Sequence, residues 1–132
     1  MTSKLEEQMH QEHREWRSEN DFRLDEVRNW QYELYQVKSE LPRLQVSLEN
    51  HERALADQAV AVRAYKDRLG VEERVLAMDQ ACCDELPPPA DRYAQEVKLN
   101  EIESERHDRV KRHHRQVMKQ WLKLMNALSE PI

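Results

Sequence analysis

Apolar residues recur along this chain at a spacing of seven. Counting from Leu34, every seventh position onward is apolar (Leu41, Leu48, Leu55, Val62, Leu69 and Leu76), with Val27 one heptad earlier. Met9, Trp16, Trp30, Val37 and Leu44 form a second row, so the two rows make the a and d pattern of a coiled coil, the interaction seam. Arg23 interrupts the second row, which turns polar from His51 through Gln58, Tyr65, Glu72 and Asp79. Long amphipathic helices are predicted, with a seam less well sealed beyond residue 50.

Local signals place the helix ends. Ser3 followed by Glu6 can form a capping box, which starts the first helix near residue 3. Ser18-Glu19-Asn20-Asp21 is its weakest stretch, because these residues compete for backbone hydrogen bonds. Pro87-Pro88-Pro89 ends the middle segment, since proline lacks the N–H a helix needs and restricts the residue before it. Asp91 then opens a third helix that stops before Pro131. The expected organisation is one domain over 1–132, with helices over about 3–39, 42–85 and 91–129 and a Pro-rich turn at 87–89. Gly70, followed by Val71, reads either as a helix end or as a solvated glycine within a helix.

Pro42 divides the architecture. Placed in the first turn of a new helix after a cap at Ser39, it gives a long-helix antiparallel three-helix bundle with helices of roughly 55 to 65 Å. Placed inside one kinked helix of about 115 Å, it gives a long helical hairpin that leaves half its seam for a partner chain, and so dimerises. Near-equal helix lengths favour the bundle. The unbroken heptad phase, with no Gly, Asn or Asp from Val37 to Leu44, favours the continuous helix.

Composition agrees with an all-α chain: charged residues make up 36%, and there is a single Gly. Regular apolar spacing argues against disorder. No apolar run approaches the ~20 residues of a membrane-spanning helix, and residues 1–7 lack a signal-peptide core. Cys82 and Cys83 are adjacent, where a disulfide closes only with strain, so they are read as free thiols in a reducing, cytoplasmic setting. No membrane partner is expected.

The order His13-Arg14-Glu15-Trp16, Trp30, then Leu-rich heptads with Glu49-Asn50-His51-Glu52, resembles short bacterial coiled-coil proteins named as viral A-type inclusion protein-like. The likeness spans residues 5–76 and departs at Pro42 and at the triple proline. It implies heptads and no activity, and it transfers no functional residue.

Candidate chemistry depends on the bundle. With turns near residues 40 and 88, residue n of the first helix lies level with about 81 − n, and residue m of the third with about 176 − m. His10, His13, Glu72, Glu103 and His107 then gather near one end as a candidate site for a divalent transition metal such as Zn, Mn or Fe. Glu6 and His10, like Glu103 and His107, are spaced i, i+4 and share a face. The Glu-x-x-His signature of di-iron bundles is absent, and the plainer reading is polar residues pairing in water at an open bundle end. His51 should face Trp30, Leu124 and Met125, as a hydrogen-bonded core histidine or a pH switch. The three tryptophans are expected to lock core layers.

Arg106, Arg109, Lys111, Arg112, Arg115, Lys119 and Lys123 stand against one acid, Asp108, in a chain of net charge −5. They could follow nucleic-acid phosphates, or else answer the acidic helices across the bundle edges, the reading the net charge favours. One glycine cannot build a phosphate-cradling loop, and no nucleophile elbow is present, so no enzyme activity and no catalytic residue is expected. The expectation is a non-enzymatic protein-interaction or scaffolding module whose partner is itself, as a homo-oligomer.

Overall fold

A computed structural model of the chain describes the backbone of residues 3–82 and 89–132, and the side chains of residues 3–78 and 90–132. Three α-helices are present, α1 (Lys4–Ser39), α2 (Leu41–Cys82) and α3 (Pro89–Ser129), and there is no strand among the described residues. The fold is all-α, as the pattern predicts. The expected end of α2 near residue 85, Pro87, Pro88 and the thiols of Cys82 and Cys83 lie outside the described residues.

α1 begins where its cap requires. Ser3 is extended (φ −68°, ψ 158°), and its Oγ accepts the Glu6 N–H at 3.2 Å, while Glu6 and Glu7 place negative charge in the first turn. The stretch from Ser18 to Asp21 stays helical. There Arg23 donates to Asn20 Oδ1 at 3.2 Å and lies 3.8 Å from Glu19, pairs that hold polar side chains along the helix surface instead of against its backbone.

The chain does not reverse at Pro42. A single residue, Glu40, separates α1 from α2, and its backbone is helical (φ −89°, ψ −5°). Its N–H donates to the Gln36 carbonyl at 3.2 Å, and its own carbonyl accepts the Leu44 N–H at 3.1 Å. Proline at 42 removes the donor that would have met the Lys38 carbonyl. The Ser39 hydroxyl, donating to the Gln36 carbonyl at 2.6 Å, tightens the same turn. Without a residue suited to a left-handed conformation, the segment can kink but has nothing to turn on. Of the two architectures legible in the sequence, this is the local course of the kinked helix.

The chain divides into two units, Met1–Glu49 and Asn50–Ile132. In the first, no α1 residue is buried, and Val27, Leu34, Leu41 and Leu48 are 40% to 57% exposed. Trp16 and Trp30 are exposed as well, as is Trp121 in the second unit, so the tryptophans do not lock a core. The second unit is an antiparallel helical hairpin. Its α2 and α3 segments meet through His51 and His114, Gln58 and His107, and Tyr65 and Asn100. Residue n of α2 thus stands opposite residue 165 − n of α3. Leu55, Val75, Leu76, Leu99, Val110 and Val117 are half-buried around this line.

Gly70 does not end a helix. No glycine has positive φ, and α2 runs through it to Cys82. Proline also takes a different part in α3 from the one expected: Pro89 is the first helical residue, two before Asp91, because at that position its fixed φ is helical and its missing N–H costs nothing.

Candidate interaction seam and histidine layer

The heptad rows meet two different fates. In Met1–Glu49 the a-row residues Val27, Leu34, Leu41 and Leu48 form an apolar stripe with no cover inside the unit. In the hairpin, Leu55 and Leu76 of the same row are half-buried, while Val62 and Leu69 remain 44% and 39% exposed.

The polar row, by contrast, makes the hairpin's cross-helix hydrogen bonds. His51 Nε2 lies 3.1 Å from His114 Nδ1, and the rings are nearly parallel at 13° with centroids 5.4 Å apart. One ring nitrogen donates and the other accepts, the choice being set by tautomer. His113 packs edge-on against His51 at 5.1 Å. One heptad on, Gln58 is 8% exposed, the buried residue of the described chain, with its amide nitrogen 3.4 Å from His107 Nδ1. One heptad further, the Tyr65 hydroxyl donates to Asn100 Oδ1 at 3.2 Å. Three consecutive layers therefore pair polar groups with polar groups, and in the part-buried His51 and Gln58 layers this satisfies atoms that would otherwise cost free energy on burial.

This register dissolves the proposed metal cluster within the hairpin. Glu72 stands opposite residue 93, whereas Glu103 and His107 stand opposite residues 62 and 58. His107 is occupied by Gln58, and Glu103 is paired with Arg106 at 3.6 Å. His10 and His13 belong to the first unit, where His13 lies against Trp16 with ring centroids 5.5 Å apart. Among the described residues, no group of three or more His, Cys, Asp or Glu is placed to hold a metal ion. The observed pairing follows 165 − m and not 176 − m, and Pro89, expected in the turn, already belongs to α3. In this register His51 meets His113 and His114 and not Leu124 or Met125.

The basic residues Arg106, Arg109, Lys111, Arg112, Arg115 and Lys119 are all exposed. Arg106 pairs with Glu103 on its own helix, and the other described ion pairs, Arg23 with Glu19 and Arg28 with Asp25, are likewise within one helix.

The paired histidine layer was the feature missed in the sequence, although it leaves a mark there. His51, Gln58 and Tyr65 are spaced by seven, as are Asn100, His107 and His114, and reading one row backward against the other gives the register. No helix among the described residues is long and apolar enough to cross a membrane. Comparison with protein-family models, with curated proteins and with solved structures gives no match.

Proposed function

We propose that this chain is a non-enzymatic coiled-coil scaffold that associates with itself through the heptad stripe of its first unit. The observation that carries the reading is the a-row of Val27, Leu34, Leu41 and Leu48, each at least 40% exposed on a regular helix face. A helix with such a stripe gains stability only by laying it against another surface, at about 25 cal/mol per Å² of apolar area covered.

Sedimentation equilibrium of the intact chain tests this. The expected result is a dimer or larger species that Leu34→Asp combined with Leu41→Asp reduces to monomer, because two carboxylates would have to enter the apolar seam. A monomeric parent chain at tens of micromolar would overturn the reading. A second reading, nucleic-acid binding, is favoured by the exposure of Arg109, Arg112 and Arg115 on α3. It predicts salt-sensitive retardation of DNA or RNA, abolished by Ala at those three positions.

A further inference from the structure

We infer that the first unit pairs with the first unit of a second copy in parallel and in register, as a two-stranded coiled coil spanning roughly residues 6–48. This rests on the self-association proposed above and adds its direction. The argument lies in the residues that flank the apolar seam, where coiled coils place the charges that choose orientation.

With Leu34 at position a, the g positions of successive heptads are Glu12, Glu19, Glu26, Glu33 and Glu40, all acidic. The e positions that follow are Arg17, Leu24, Gln31, Lys38 and Gln45, with no acid among them. In a parallel pair, each g residue faces the e residue five places further along the second helix. Glu12 then meets the second copy's Arg17, and Glu33 its Lys38. Glu26 and Glu40 meet amides and Glu19 meets a leucine, so no like charges touch among these flanking pairs, while within the seam Arg23 and Glu6 each face their own counterpart. In an antiparallel pair g faces g, so five glutamates on each helix would confront five on the other. The helix is therefore self-complementary in one direction and self-repelling in the other.

The seam agrees. Asn20 occupies an a position, with Arg23 at the next d position donating to its Oδ1 at 3.2 Å. In the parallel register Asn20 meets Asn20 of the second copy, amide against amide, a pairing by which a polar a residue fixes register and strand number; His13 and Glu6 are the other polar a residues of the span. In an antiparallel pair an a residue packs beside a d residue, so Asn20 would lie against Trp30 or Val37 and lose a hydrogen-bonding partner on burial. The whole stripe is available: α1 has no buried residue, and Met9, Trp16, Trp30 and Val37 of the d row are all exposed.

Thiol exchange on the full chain tests the direction. In a background with Cys82→Ser and Cys83→Ser, the variants Glu6→Cys and Leu48→Cys are equilibrated in a glutathione buffer, singly and mixed, with a mass tag on one. The expected products are the 6–6 and 48–48 disulfide dimers, with no 6–48 crosslink. A 6–48 crosslink without 6–6 would overturn parallel pairing while leaving self-association in place. A parent chain that sediments as monomer would remove both.

A charge swap gives a second readout that does not depend on cysteine. Glu33→Lys alone and Lys38→Glu alone each turn two attractive contacts per dimer into repulsive ones, and each should dissociate roughly tenfold more readily than the parent. Mixing the two variants should restore parental affinity by forming the heterodimer, because only there does every 33–38 contact join opposite charges. Failure of the mixture to recover would overturn the inference.

Discussion

At Gly70 the helix carries its only residue without a side chain. The backbone there is helical, and a Cβ added to it would meet nothing within 4 Å. Gly70→Ala should therefore add stability through the lower chain entropy of alanine in the unfolded state, by about 0.5–1 kcal/mol, read as a raised urea midpoint with an unchanged slope. At His51 the balance runs the other way. His51→Leu leaves His114 with an unmatched ring nitrogen in a half-buried layer and should cost about 1 kcal/mol. Removing both partners with His51→Leu and His114→Leu should cost less than the two single changes together, since an apolar pair tolerates the same place. Urea unfolding of the three variants decides this. Strictly additive losses would mean that the 3.1 Å contact contributes no coupling.

Between residues 36 and 44 the helix keeps its hydrogen bonds through Glu40 and loses one donor to proline. If Pro42 only kinks a helix, Pro42→Ala should restore a bond to the Lys38 carbonyl, raise ellipticity at 222 nm and stabilise the chain by about 1–3 kcal/mol. A loss of stability would instead mean that proline holds a turn. This element also shows what can be read from sequence. The uninterrupted phase from Val27 to Leu76 and the absence of Gly, Asn or Asp near Pro42 pointed to continuity, and equal segment lengths pointed away from it. Length matching is permissive of a bundle but supplies no turn, so the local chemistry prevailed. The ends of α1 were legible because a cap is a short-range device, as the Ser3 to Glu6 bond shows. The pairing of α2 with α3 was not, since proline at a helix start and proline between helices look alike in sequence. Nor were the metal candidates: Glu72 and Glu103 are gathered or separated by that register alone.

Across the whole chain, no apolar side chain is buried among the described residues, and the buried residue, Gln58, is polar. Ordering a residue's backbone costs roughly 1–2 kcal/mol, a cost that apolar burial ordinarily offsets. If association supplies the missing burial, stability becomes a matter of mass action, because unfolding an assembled pair yields two molecules from one. Raising concentration must then shift the balance toward the folded pair and raise the melting midpoint. Taking an unfolding enthalpy of about 0.7 kcal/mol per residue over both chains, the midpoint should rise about 3 °C for each tenfold increase in concentration. In a Trp121→Phe chain, the fluorescence of Trp16 and Trp30 reports on residues 1–49 alone, where the exposed stripe lies. That signal should carry the concentration dependence, and Leu34→Asp should abolish it. A midpoint that stayed fixed over a hundredfold range would mean that the stripe takes no part in holding the first unit folded, and that its stability comes from within a single chain.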